Sequence, residues 1–361
     1  MIDEKILKNE ERAVFALRSL YKSYGYKPFK MSKFEEYDLY VENKDFLVSD
    51  RIITFNDTDG RLLALKPDVT LSIVKNTKDD GRKQKVCYNE NVYRVSGSTG
   101  QYKELMQTGL ECIGDIDISD IFEVVYLAAK SLAEISESFI LDISHMGILS
   151  SLLSEASDNE KFKREITEGI ANKNSHGIKA ICQKYSVSAK YEEIFTALAS
   201  MYGDIPSVIA KLRPICTSDR SCAALSDLEM LAELIADTEL SEKVRFDFSV
   251  VNNMSYYDGI VFRGFLAGIC EGVLAGGEYG KLLSGMGRKS GAVGFALYLD
   301  LLEELEGSCE EYDADVLLVY TEAAKPSEIA QKKRNLVAHG KSVLAQKSLV
   351  DGQRFKEVIY I

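Results

Sequence analysis

Gln107 and Glu111 stand four apart in residues 102–113, an alternating run that reads as a strand, so their side chains share one face. Arg94 lies near the end of the preceding strand-like run, 86–95, and Ser96-Gly97-Ser98-Thr99-Gly100 is a flexible loop between the two. A hairpin of this kind brings Arg94, Gln107 and Glu111 within reach of one another. One carboxylate and one guanidinium on a sheet face make either an ion pair or a clamp on a ligand. Asp68 and Thr70 follow Pro67, a residue that suits the first position of a helix, so that first turn offers a carboxylate and a hydroxyl. They would either face a ligand amine or cap the helix.

The third group lies in residues 252–305. Tyr256-Tyr257-Asp258-Gly259 leads into the β-prone run Ile260-Val261-Phe262, and Ala275-Gly276-Gly277-Glu278-Tyr279 reads as a glycine hairpin. Ala292-Val293-Gly294-Phe295-Ala296-Leu297 then passes into a helical pattern through Leu299, Leu302 and Leu305. Small residues let backbones approach, and tyrosines supply flat walls with polar tips. Such a stretch builds a pocket for a small polar molecule, or simply a hairpin and a core helix carrying incidental tyrosines.

Other chemistries find little support. His145, His176 and His339 are far apart, and no metal-ligand spacing is present. No nucleophile motif accompanies a histidine, and His145 reads as a packed or capping residue rather than a base. The seven cysteines form no CxxC, which suits buried free thiols in a reducing compartment. The formal net charge of −12 disfavours nucleic acid, including tRNA, because phosphate neutralisation calls for a basic footprint. The charged N-terminus is no signal peptide, and no apolar run approaches the ~20 residues of a membrane span. The expected location is cytoplasmic.

The elements that must position these residues follow from periodicity. Residues 3–24 carry apolar side chains at helical spacing and stop at Gly25. Ile52-Ile53-Thr54-Phe55 and residues 61–65 form a hairpin around the turn at 56–60. Residues 115–138 are an amphipathic helix and 139–143 a strand. From 147 to 243 the chain turns polar and helical in period, with segments at 161–171, 191–201 and 225–235, before strand chemistry resumes at 244–250. A linker at 307–313 precedes a strand at 314–320 and a helix at 326–340. We therefore expect an α+β core from 1–146 and 244–306, a helical insertion at 147–243, and a short βαβ-like remnant at 307–361.

The order of these pieces resembles the class II aminoacyl-tRNA synthetase core, an antiparallel sheet flanked by helices, and within it histidyl-tRNA synthetase. The segments carrying the resemblance are 65–70 (LKPDVT), 92–114, 255–262 (SYYDGIVF), 274–283 (LAGGEYGKLL) and 292–300 (AVGFALYLD). The resemblance implies a histidine pocket in which Asp68 and Thr70 meet the α-amino group and Arg94 is the arginine of the second class motif. Gln107 lies near the carboxylate and amine, Glu111 reads the imidazole, and Tyr256, Tyr257 and Tyr279 form the walls. Asn252 stands where the synthetase has an arginine acting on the carboxylate and α-phosphate. The third motif reads Leu299-Asp300-Leu301 and lacks its closing arginine, Ser96 replaces an adenine-side acid, and the motif 2 loop has no arginine. Removing one positioned cation from a phosphoryl transition state costs ~10²–10³ in rate, so adenylation is not expected.

A relative that keeps the pocket without aminoacylation is the regulatory subunit of ATP phosphoribosyltransferase, and Leu141-Asp142-Ile143-Ser144-His145-Met146-Gly147 resembles that family's strand and helix start. This implies a non-catalytic subunit with no cofactor and no metal. It would bind L-histidine and form a homodimer within a hetero-octamer containing the short catalytic subunit. It would activate and feedback-regulate the first step of histidine biosynthesis. The alternatives are an active histidyl-tRNA synthetase and a histidine-sensing paralogue with another partner.

Overall fold

The computed structural model describes residues 7–47, 51–95, 100–251, 256–305 and 312–361. The chain divides into two compact units, Met1–Leu305 and Glu306–Ile361.

The first unit begins with α1 (Asn9–Ser23), whose buried Ala13, Leu17 and Tyr21 recur at the four-residue spacing of one helix face. Next come β1 (Lys27–Pro28), β2 (Phe34–Glu36), α2 (Tyr37–Glu42), β3 (Thr54–Asn56), β4 (Leu62–Leu65) and α3 (Thr70–Asn76). The expected hairpin at 52–65 is β3–β4, and β2 joins its free edge to make a three-stranded antiparallel sheet. The helix begins at Thr70 rather than at Pro67. Asp68 Oδ1 accepts the Leu71 N–H at 2.9 Å, so the carboxylate caps the first turn from outside it.

The main sheet is built on the long antiparallel pair β5 (Gln84–Val95) and β6 (Tyr102–Gly114). Behind it runs α4 (Ile118–Ala133), whose Asp117 N-cap accepts from Ser119 and Asp120 N–H groups. Then come β7 (Phe139–His145), α5 (Met146–Ala156), α6 (Glu160–Ala171), α7 (Ser175–Lys184), α8 (Ala189–Ala199), β8 (Tyr202–Gly203), α9 (Ile205–Leu212), α10 (Asp219–Ala236) and β9 (Val244–Asp247). The unit closes with β10 (Ile260–Leu266), β11 (Leu274–Glu278), α11 (Gly280–Gly285) and β12 (Gly291–Tyr298). The nine-stranded sheet has the order β1-β5-β6-β12-β11-β10-β7-β9-β8, with antiparallel pairs throughout its centre.

Each central strand feeds two cores. Leu110, Phe262 and Phe295 face a large apolar cluster that also holds Leu17, Val124, Leu132 and side chains of α5 to α10. Tyr88, Ile113 and Ala292 face a smaller cluster with Leu71, Val74, Tyr256, Tyr279 and Leu282. Alternation along a strand supplies both faces. Each fully buried leucine or phenylalanine contributes roughly 1.5–3 kcal/mol.

Two expectations near the sheet are corrected. Residues 275–279 are not a hairpin turn, because β11 runs through them between β10 and β12. Gly276 sits inside the sheet because a Cβ there would collide with the Gly294 carbonyl and the Phe262 ring. After β12 the chain makes a 3-10 turn over Leu299–Glu304 rather than an α-helix. The apolar spacing Leu299, Leu302, Leu305 is three residues, which is the 3-10 period.

The second unit is a parallel three-stranded sheet of β13 (Ala314–Val319), β14 (Val343–Gln346) and β15 (Phe355–Tyr360), in the order β14-β13-β15, with α12 (Pro326–Ala338) between its first two strands.

One buried ion pair ties β4 to β5. The Lys66 side chain is 0% exposed and donates to Glu90 Oε2 at 3.0 Å, while Glu90 is 16% exposed. Removing one partner strands a buried charge. Glu90→Ala should therefore cost about 3 kcal/mol, whereas Lys66→Met combined with Glu90→Leu should recover most of that loss. Urea unfolding of both variants reads this directly; a Glu90→Ala midpoint equal to that of the parent chain would refute it.

Candidate functional site

A cavity of about 440 Å³ lies over the centre of the main sheet. Its floor is set by register. One cross-strand row runs Arg263, Ala275, Ala296, Gly109, Tyr88, and the next runs Val261, Gly277, Gly294, Glu111, Val86. Paired residues point to the same face, so alanines and glycines occupy the middle of both rows. Space above the sheet follows from their small size. Gly294 is demanded outright, because a Cβ there would collide with Glu111 Oε2.

Asp68, Thr70, Arg94, Gln107, Glu111, Tyr256, Tyr257 and Tyr279 all line this cavity. Asn252 lies outside the described residues, as do Ser96 and most of the loop that follows it.

Glu111 is buried in the cavity and held at both oxygens. Its Oε1 accepts from Thr70 Oγ1 at 2.9 Å and its Oε2 from the Tyr279 hydroxyl at 2.6 Å. It is 2% exposed and makes no ion pair among the described residues. Burial pushes its carboxyl up to about 8; the two hydroxyl donors oppose that shift and the nearby Asp68 adds to it. Asp68 is likewise raised by burial, with the Leu71 N–H and Arg94 pulling the other way. The ion-pair alternative for Glu111 and Arg94 is thereby set aside, since Arg94 Nε donates to the Pro67 carbonyl at 2.9 Å.

The walls are aromatic. The Tyr256 and Tyr257 ring centroids are 4.6 Å apart, Tyr256 and Tyr279 5.7 Å, and Phe46 meets Tyr256 edge-on at 6.4 Å. Burial holds the hydroxyls of Tyr256, Tyr257 and Tyr279 well above the ordinary phenol range, so all three stay neutral. The Gln107 Nε2 amide is buried with no partner among the described residues. A buried unpaired donor costs roughly 1–3 kcal/mol, which a ligand acceptor would offset. Two carboxyl groups raised by burial, an amide donor without a partner among the described residues, two arginines and a ring of tyrosines suit a small molecule that carries N–H donors and an anionic group.

Sequence reasoning missed Tyr88, Arg263 and Tyr298 as lining residues. Arg263 gave a signal, since it is the one charge in the apolar run Ile260–Leu266. Tyr298 gave none; its place opposite Gln107 is a matter of register.

His145 lies outside this cavity. Its Nδ1 accepts the Gly147 N–H at the start of α5, and burial pulls its pKa down to about 4. It is a neutral cap, as its position suggested. Six cysteines are described, all free. Cys87, Cys112, Cys182 and Cys216 are buried, but Cys222 and Cys270 are exposed, because each sits where the chain meets solvent rather than in a core. Among the described residues no cluster of His, Cys, Asp or Glu has the makings of a metal site, and no helix is long and apolar enough to cross a membrane.

The family model described as histidyl-tRNA synthetase matches residues 2–302. A protein from Clostridium kluyveri named ATP phosphoribosyltransferase regulatory subunit is 29% identical over 337 residues, covering 90% of this chain and 85% of that one. A protein of the same name from Caldanaerobacter subterraneus subsp. tengcongensis is 30% identical over 78% of this chain and 75% of its own. A solved structure titled ATP phosphoribosyltransferase regulatory subunit/histidyl-tRNA synthetase, from Bacillus halodurans, superposes with a TM-score of 0.78 at 26% identity. That match covers 100% of this chain and 96% of the other.

The Glu111 carboxyl gives a pH test. Its folded pKa lies above its ordinary value of 4.5, so the stability it allows is complete below about pH 4.5 and is lost as pH rises through about 8. Glu111→Gln removes this dependence. The Tm of the variant relative to the parent chain should therefore rise steadily from about pH 5 to about pH 9; a flat difference would show that Glu111 titrates normally.

Proposed function

The chain belongs to the histidyl-tRNA synthetase family and, within it, to the ATP phosphoribosyltransferase regulatory subunits, and we propose that it works as one by sensing L-histidine. The carrying observation is Glu111, buried and held by Thr70 and Tyr279 with no cation of its own among the described residues. An imidazole N–H is the donor such a carboxylate lacks, and the zwitterion's ammonium suits Asp68. The tyrosines supply flat walls, and Gln107 offers its unpaired amide to the ligand's polar backbone. In this reading Asp68, Thr70, Arg94, Gln107, Glu111, Tyr256, Tyr257 and Tyr279 bind histidine, with Asn252 on the carboxylate side.

Aminoacylation has no support in the residues present. The third motif ends in Leu301 where the synthetase places arginine, and Leu302 turns inward to the core. Asn252 is neutral where the synthetase has a cation. Adenylation needs both cations at the phosphorus, and each is worth ~10²–10³ in rate. The net charge of −12 gives no basic footprint for tRNA.

The proposed partner is the short catalytic subunit of an ATP phosphoribosyltransferase, with this chain as a homodimer inside a hetero-octamer in the cytoplasm. It would raise the catalytic rate of the partner and transmit inhibition as histidine accumulates. The coupling is reciprocal: whichever state of the complex histidine favours must itself bind histidine more tightly. The division of the first unit into a synthetase-like core and a helical insertion at 147–243, followed by a remnant at 307–361, belongs to the same reading.

Two measurements test it. Phosphoribosyl-ATP formation by a short catalytic subunit should be stimulated by this chain and then inhibited as L-histidine is titrated; no effect at any ratio would overturn the partnership. Glu111→Ala should weaken histidine binding by about 1.5–3 kcal/mol in calorimetry, as a charged hydrogen bond goes unmade, and unchanged affinity would remove the pocket from the reading.

A further inference from the structure

Arg263 is an exposed cation on a strand that is otherwise apolar. It makes no ion pair among the described residues; its guanidinium lies 5.6 Å from the centroid of the Phe265 ring, and its stem runs against Gly272. In register it stands between Asp142 of β7, with which it makes no ion pair among the described residues, and a row that continues through Ala275, Ala296 and Gly109, so only small side chains stand between it and the middle of the cavity. Arg94 lines the same cavity and also makes no ion pair among the described residues; its Nε donates to the Pro67 carbonyl. Tyr298 lies between them in effect. Tyr298 and Gln107 form the next row beyond Ala296 and Gly109, on the side away from the row of Glu111, and Arg94 lies further along β5 in that same direction. Gln107, opposite Tyr298 across β6 and β12, turns its unpartnered Nε2 into the same region.

Glu111 and Thr70 hold the donor-seeking end of the cavity, and the cations gather at the other. We propose that Arg263, with Arg94 and Gln107, forms the subsite that reads the carboxylate of the bound amino acid and so distinguishes it from the matching amino alcohol. This rests on the histidine reading of the pocket. A guanidinium fork suits a carboxylate, and its aromatic rest position over Phe265 leaves both terminal nitrogens available to a ligand.

The test is a set of calorimetric titrations with L-histidine and with L-histidinol, which keeps the imidazole and amine and exchanges the carboxylate for a hydroxymethyl group. The parent chain should prefer histidine. In Arg263→Gln histidine should bind about 10- to 100-fold more weakly while histidinol changes little, so the preference collapses; Arg263→Lys should fall between, because it keeps the charge and loses the fork. Arg263 is exposed, so the variants are expected to keep the parent Tm, and equal weakening of both ligands would assign Arg263 a merely structural role and overturn the proposal. Retained discrimination in Arg263→Gln, or equal affinity of the parent chain for both ligands, overturns it as well. A parent chain that binds neither ligand overturns the histidine reading itself, and this subsite with it.

Discussion

The structure turns on a buried carboxylate with no counter-ion among the described residues. Glu111 is a strand residue, 2% exposed, and its partners among the described residues are two neutral hydroxyls. Burying such a group is costly, and the cost appears as a carboxyl pushed up to about 8. Everything around it is arranged to tolerate that. Thr70 reaches it from the first turn of α3, Tyr279 from the residue after β11, and Gly294 leaves the room that any Cβ would take. Three segments far apart in sequence converge on one side chain, which fixes how α3 sits over the sheet.

The same register that seats Glu111 makes the cavity. Antiparallel pairing puts Ala275, Ala296 and Gly109 in one row and Gly277, Gly294 and Glu111 in the next. On the opposite face, Phe262, Leu110 and Phe295 alternate with them and hold the sheet to α4 and α1. A one-residue slip in β12 would turn Phe295 into the pocket and Gly294 into the core. Pocket and core are therefore specified together, and neither could be repaired alone.

In the proposed reading, a family pocket without the nucleotide-side cations separates binding from chemistry. In the proposed reading Glu111 and the tyrosines recognise by shape and hydrogen bonding, which needs no reacting phosphate. In the proposed role this is sufficient, because a regulatory ligand has only to bind two states of a complex unequally. Buried groups with shifted pKa values mark catalytic sites and binding sites alike, so here the absence of the motif arginines from the sequence decides between the two.

Much of this was legible in the residues alone. The four-residue spacing of Gln107 and Glu111, the paired tyrosines and the glycine-rich strands placed the site, because alternation and small-residue patterns are local properties of a strand. The α+β class and most helices followed from periodicity for the same reason. Local pattern could not show that 275–279 is a central strand, since two glycines read as a turn until both neighbouring strands are known to crowd them. Nor could it separate a 3-10 turn from an α-helix by apolarity alone at 299–304. The pairing of Tyr298 with Gln107, the lack of an ion pair at Arg263 among the described residues, and the refusal of Arg94 to pair with Glu111 were decided by tertiary structure. Each depends on which strand lies beside which, and that is a long-range choice the core makes when its two faces are filled.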